Sequence, residues 1–537
     1  MRTPFAFIAA LLCSGLNAQD PQWATPPKLV VGVVVDQMRV DNIYRYWDNY
    51  SEGGFKRLVR EGSFQRDAHY DYVPTFTAPG HASIYTGTTP ARHGIVANYP
   101  YRRELQRSWY CARDSTVSPV GTSDLRAQRS PYQLLASTLA DELELRTDRR
   151  ARTVGIALKD RSAIMPIGRT GDAAYWYMGG DEGKFVTSSW YRKEPPAWLN
   201  AFNAKKLAHE YLGRTWDLAL PRERYHSPLP DDNPYEEPLG KGLRPTLPLD
   251  LAALRKGGED LDLLVYTPWG NTITTEMAIA AILGDSLGMD DVTDLLALSY
   301  SSPDELGHLM GQRSLEGEDM YIRLDIELAR LLAFLDKQVG RGEYTLFLTG
   351  DHGGADVPAY LRDLKGSAGY TSMKGLGAWL SERGLGDHIQ IIRQGQIYLL
   401  PDAPAGTAGS IAEALNMNPD IACALTAERL QQMDELRGIA RHLARGYMPA
   451  RCGDVLFAMQ PGFYEEEYGN MGMGAEHGSP WNYDTQIPVI FFGKGIQQGE
   501  VLRRTSITDI APTVSAIVGM ALPNAADGQV VPEVVRP

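Results

Sequence analysis

Five short apolar runs constrain this chain more than any other feature: Leu29 to Val35, Thr153 to Leu158, Leu295 to Tyr300, Tyr344 to Thr349 and Ile487 to Phe492. Each is rich in Val, Ile, Leu or Phe with little polar alternation, the pattern of a strand buried on both faces. Helical patterns separate them. In Met320 to Lys337 apolar residues recur at spacings of three and four, and Ile507 to Val518 opens with Thr508 as the expected cap. Strands alternating with helices predict an α/β fold with a central, mostly parallel sheet and helices on both faces.

At 537 residues, 43% hydrophobic and 22% charged, the chain can bury a large core. The reading adopted is one catalytic domain over 19–537 with insertions, since large α/β enzymes often fold around one sheet. Two stretches break the alternation. One, about 170–260, is rich in Trp, Tyr and Pro and contains the acidic loop Pro228 to Glu237; the other, about 355–475, has Gly-rich turns and a helical segment around Thr426 to Ala444. Both are expected to form a cap beside the site.

Residues 1–18 read as a signal peptide: Arg2, the apolar stretch Phe5 to Leu12, and the small Ala18 near which cleavage is expected. That stretch is too short to span a membrane. Leu12 stands where a lipidated Cys13 would need a small residue before it, which argues against a lipoprotein. Cleavage removes one Arg and no acid, taking the formal charge from -13 to -14. A secreted or periplasmic protein this acidic is a poor nucleic-acid binder. Three cysteines remain, Cys111, Cys423 and Cys452, enough for one disulfide and a free thiol, or for three buried thiols.

Chemistry concentrates where the apolar runs end. Asp36 follows the first directly, Asp304 follows the third, and Asp351 with His352 follows the fourth; in parallel sheets ligands bind beyond those carboxyl ends. Asp304 and His308, four apart, share a helix face and can chelate one ion. Alone such a pair is commonplace on a solvated helix. Asp351-His352-Gly353 and His477-Gly478-Ser479 make it part of a larger set of carboxylates and imidazoles that suits two zinc ions, although manganese takes similar donors.

Thr77 stands just before a helix-starting proline motif, in Thr75-Phe76-Thr77-Ala78-Pro79-Gly80-His81. It reads either as an ordinary N-cap or as a nucleophile whose alkoxide a helix N-terminus and a metal would stabilise. Thr75 competes for that role. Lys159 and Arg161, two apart after the second strand, share a face if the segment is extended and could then hold one phosphate. A solvated basic pair is the plainer alternative.

The stretches around Thr77, Tyr85-Thr86-Gly87, His93-Gly94-Ile95, Asn98, Asp304 to His308, Asp351-His352-Gly353 and His477-Gly478-Ser479 resemble the alkaline phosphatase superfamily, most of all its PafA-type, phosphate-irrepressible branch. The likeness runs from about Lys28 to the Ile507-to-Thr513 segment. It implies one zinc on Asp304, His308 and His477, a second on Asp36, Asp351 and His352, and Thr77 as a nucleophile that forms a phosphothreonine. It also implies that Asn98, Lys159 and Arg161 bind the phosphate of small-molecule monoesters, because related phosphodiesterases and nucleotide pyrophosphatases lack the Lys and Arg. The arginine of the arylsulfatase signature is absent after Thr77. The expected activity is therefore an alkaline phosphomonoesterase. A phosphodiesterase or nucleotide pyrophosphatase on the same two metals is the alternative, and a metal-stabilised phosphate-binding protein a third.

Overall fold

The computed structural model describes residues 25–239, 244–465 and 473–536, so the signal-peptide segment with Ala18 lies outside the described residues. Its principal strands are β1 Leu29–Val35, β2 Ser63–His69, β3 Pro119–Val120, β4 Thr153–Ala157, β5 Ala173–Met178, β6 Lys184–Ser188, β7 Asp294–Tyr300, β8 Tyr344–Gly350, β9 Ile389–Arg393, β10 Gln396–Leu399, β11 Ile421–Thr426, β12 Val455–Met459, β13 Gln486–Gly493, β14 Gly499–Val501 and β15 Thr505–Ser506. An eleven-stranded sheet runs β14-β2-β13-β8-β1-β7-β4-β5-β6-β3, with β15 beside β2.

Its centre, β8-β1-β7-β4-β5, is parallel throughout. The helices that matter for the site or the core are α1 Thr77–Thr86, α2 Asp160–Ile167, α3 Pro268–Gly284, α4 Ser302–Met310, α5 Leu315–Leu335 and α6 Ile510–Val518. β1 shows why both faces of the sheet need cover. Val31, Val33 and Val35 join a core with Met277 of α3 and Leu324 of α5, while Val30 and Val34 pack in a second core with Ile84 of α1 and Val514 of α6.

Register brings the site together. Val35 pairs with both Tyr300 and Gly350, and Ser299 pairs with Ala157, so four adjacent strands end at one level. β13 runs antiparallel to β8, with Val489 opposite Thr349, and its beginning therefore lies at the same edge as the others' ends. This is why His477 reaches the site from before a strand rather than after one.

Several local expectations change. Ser506, not Thr508, caps the final helical segment, through a capping box with Asp509 ahead of α6. The region around 426–444 is broken into Ala427–Leu430, a 3-10 turn Met433–Glu435 and Gly438–Gly446. β5 and β6, within the 170–260 stretch, belong to the main sheet, whereas β9 to β12 form a separate four-stranded sheet inside 355–475. Cys111, Cys423 and Cys452 are all free thiols.

Candidate active site

The four strand ends and the loop before β13 deliver three buried carboxylates and three imidazoles to one place. Asp36, Asp351 and His352 are fully buried and Asp304 nearly so. Each imidazole is oriented in the same way: Nδ1 of His308 donates to Ala475 O (3.0 Å), that of His352 to Gly353 O (2.9 Å) and that of His477 to Thr75 O (2.7 Å). A carbonyl can only accept, so Nδ1 carries a proton in each ring and Nε2 is the nitrogen that faces inward. His352 and His477 stack with ring centres 3.6 Å apart.

The inward atoms form two overlapping groups. Nε2 of His308 lies 3.3 Å and Nε2 of His477 3.7 Å from Asp304 Oδ1. Nε2 of His352 lies 3.4 Å from Asp36 Oδ1 and 3.6 Å from Asp351 Oδ2. Asp304 stands close enough to serve either group. Asp36 Oδ1, Asp351 Oδ2 and His352 Nε2 are buried with no hydrogen-bond partner, and all three are acceptors turned toward one another. A divalent cation would satisfy such a set, and mixed carboxylate and imidazole donors suit zinc or a similar ion.

The electrostatics express the same crowding. Burial, then Asp304 and Asp351, hold the Asp36 carboxyl well above its usual range. Burial acts on Asp304 too, but His308 and Lys159 outweigh it and keep that carboxyl ionised. Burial, with His352 beside it, keeps His477 neutral, the form a metal requires.

Thr77 is not a cap. The N-cap of α1 is Phe76, and no side chain closes that helix end. The Thr77 hydroxyl is left facing Arg161, whose guanidinium donates to Oγ1 at 3.5 Å. Thr75, the competitor, spends its hydroxyl on Ser479 O at 3.1 Å. α1 can approach Asp351 closely because position 80 is glycine; a Cβ there would stand 2.3 Å from Asp351 O. Asn98 Oδ1 accepts from Ala78 N at 2.9 Å, which fixes the amide and leaves its nitrogen as a donor at the same helix end.

Lys159 and Arg161 are brought together by a different geometry from the extended pair expected. Lys159 is the N-cap residue of α2 and Arg161 lies within its first turn. Lys159 Nζ donates to Asp36 Oδ2 at 2.8 Å, to Asp304 Oδ2 and to Glu305 Oε1 at 3.3 Å. Asp160 between them accepts from Arg129 and Tyr110, and Tyr110 OH also accepts from Arg161 at 3.4 Å.

Gln37 is a participant that the sequence does not betray. It takes φ 61°, rare outside glycine, immediately after Asp36. There its backbone N–H donates to Asp351 Oδ1 (3.1 Å) and its side chain to Asp304 Oδ1 (2.7 Å), joining the two ligand groups. Its neighbours must be small: a Cβ on Gly307 would lie 2.1 Å from Gln37 Oε1. Glu476, 3.4 Å from His308 Nδ1, and His81, 3.4 Å from Asp351 Oδ2, complete the surroundings. An apolar cleft lined by Phe76, Phe457, Met459 and Phe463 opens against His477, between the four-stranded sheet and the site.

Residues 30–480 match the family model described as type I phosphodiesterase / nucleotide pyrophosphatase. The chain is similar to alkaline phosphatase PafA of Elizabethkingia meningoseptica, 39% identical over the whole of both chains. It is also similar to the crystal structure of wild-type PafA, with TM-score 0.91 and 38% identity over 95% of this chain and 99% of that one. A further PafA structure, in which a threonine, an asparagine, a lysine and an arginine are substituted, matches at TM-score 0.90 and 37% identity over the same shares. On this sequence and fold evidence the chain belongs to the type I phosphodiesterase / nucleotide pyrophosphatase family of the alkaline phosphatase superfamily, on its PafA-type branch.

Proposed function

We propose that this is an alkaline phosphomonoesterase that releases inorganic phosphate from small organic monoesters through a phosphothreonine at Thr77. The observation that carries the reading is an uncapped threonine hydroxyl at a helix start, within reach of an arginine and beside buried acceptors that need cations. Asp304, His308 and His477 would hold one zinc ion and Asp36, Asp351 and His352 the other; two such ions supply Lewis-acid charge at the attacking and leaving oxygens.

Thr77 Oγ1 attacks phosphorus, the ester P–O bond breaks, and the alcohol leaves. Water then opens the phosphothreonine and returns Thr77. The N-terminus of α1 and the Arg161 guanidinium both favour negative charge on Oγ1 and on the phosphate. Lys159, Arg161 and the Asn98 amide nitrogen would receive the three non-bridging oxygens of a monoester dianion. A diester lacks one of those charges and puts a carbon substituent in its place. The PafA variant with a threonine, an asparagine, a lysine and an arginine substituted changes the same four residue types and supports this grouping. The four-stranded sheet and the apolar cleft would act as a cap on the organic group, and residues 1–18 would direct the protein to the periplasm or outside the cell. No helix of the described residues is long and apolar enough to cross a membrane.

A phosphodiesterase reading draws on one observation: Lys159 is already satisfied by Asp36, Asp304 and Glu305, as a purely structural lysine would be. Acid quench during turnover followed by peptide mass spectrometry tests the proposal. Phosphate on Thr77 is expected; phosphate on another residue, or on none while product accumulates, would defeat it.

A further inference from the structure

The Lys159 ammonium has three protons to donate and meets three carboxylates: Asp36 Oδ2 at 2.8 Å, Asp304 Oδ2, and Glu305 Oε1 at 3.3 Å. No proton is left over for a phosphate oxygen, so a monoester that engages Lys159 must take the place of one of them. The three are not equivalent. The Asp36 and Asp304 side chains are 0% and 2% exposed, and both belong to the donor groups that could hold metal ions. Asp304 is fixed further by Gln37 Nε2 at 2.7 Å. Glu305 belongs to neither donor group and its side chain is 25% exposed. Among the described residues Lys159 is its only ion-pair partner.

We propose that Glu305 is an internal competitor for the substrate's phosphate. Its carboxylate holds the outward side of the Lys159 ammonium, gives way when a monoester dianion binds, and so limits how tightly the site grips that dianion. The inference rests on the reading of Lys159 as a phosphate-binding residue. Under it, the contacts that make Lys159 look like a purely structural lysine become the resting state of a binding group.

Three features make Glu305 the partner that is displaced. Asp36 and Asp304 already orient Lys159 from the buried side, so the ammonium stays in place when Glu305 leaves. Glu305 sits in the first turn of α4, where the helix end favours its charge whether or not it touches Lys159. A partly exposed carboxylate also regains hydration as it swings away, which keeps the pair with Lys159 weak. Competition of this kind penalises ligands in proportion to their use of Lys159. A monoester dianion therefore feels it more than a diester, which has one charge fewer to place there.

The test is a double-mutant cycle of Glu305→Gln and Lys159→Ala in the full-length, zinc-loaded protein, with zinc content matched to the parent. Binding of inorganic phosphate is measured by titration calorimetry, and kcat/KM for an aryl phosphate monoester and the matching diester. Glu305→Gln keeps the shape and removes the charge. It should tighten phosphate binding by about three- to sixfold, the factor a weak exposed ion pair withholds, and raise monoester kcat/KM alike. Diester kcat/KM should change by less than about twofold, and so should phosphate affinity when Glu305→Gln is added to Lys159→Ala. If Lys159→Ala weakens phosphate binding but Glu305→Gln leaves it unchanged or weakens it, Glu305 is inert or positions Lys159, and the proposal is overturned while the reading of Lys159 stands. A tightening that persists at full size without Lys159 overturns it as well. Phosphate affinity untouched by Lys159→Ala defeats the reading of Lys159, and the proposal with it.

Discussion

Two groups of buried carboxylates in this molecule make opposite use of the same problem. At the strand ends, Asp36, Asp304 and Asp351 share their space with three oriented imidazoles, Lys159 and a threonine hydroxyl that accepts from Arg161. Glu236 of the 228–237 loop and Glu316 of α5 are buried too, but among the described residues neither forms an ion pair with a histidine, lysine or arginine. Burial alone therefore does not mark an active site. What marks one is the mixture of acceptors that need cations with a group able to attack, all fixed by strands that end at one level.

Substitutions can break or sharpen that contrast. Thr77→Ala should lower monoester turnover by about four orders of magnitude or more while leaving bound zinc unchanged, measured by stopped assays and metal analysis together. Lys159→Ala with Arg161→Ala should lower monoester kcat/KM by on the order of 10²- to 10⁴-fold, since each charge-assisted contact is worth about 1.5–3 kcal/mol. Diester hydrolysis should fall by no more than about tenfold, and equal losses would make the pair structural. Because Asp304 lies within reach of both donor groups, Asp304→Ala should strip more zinc than Asp351→Ala, and equal stoichiometries would refute its shared position. Gln37→Ala touches no reacting atom; by removing the donor to Asp304 it should weaken zinc affinity about tenfold in chelator competition. Smallest of all, Glu316→Gln should leave kcat/KM of the zinc-loaded enzyme within about twofold at 25 °C, placing this carboxylate outside the chemistry.

The sheet was legible because its strands are apolar on both faces, and all five apolar runs became strands of it with ends within about a residue. β9 and β11, each only half buried, were not. The metal-liking residues could be read from their place after strands, but His477 needed the antiparallel direction of β13 to explain its arrival. Lys159 and Arg161 converge by a turn into α2 that residue spacing does not reveal. Thr77 could be read as a cap or as a nucleophile until Phe76 took the cap position. Gln37 is invisible in sequence, because its role arises from a left-handed backbone and from small neighbours 270 or more positions away.

The central claim is best tested by kcat/KM for an aryl phosphate monoester against the matching diester, on zinc-loaded protein lacking residues 1–18. The account predicts a large preference for the monoester that collapses in the Lys159→Ala, Arg161→Ala double variant. A preference for the diester in the parent protein would contradict it and make the same metal core that of a phosphodiesterase.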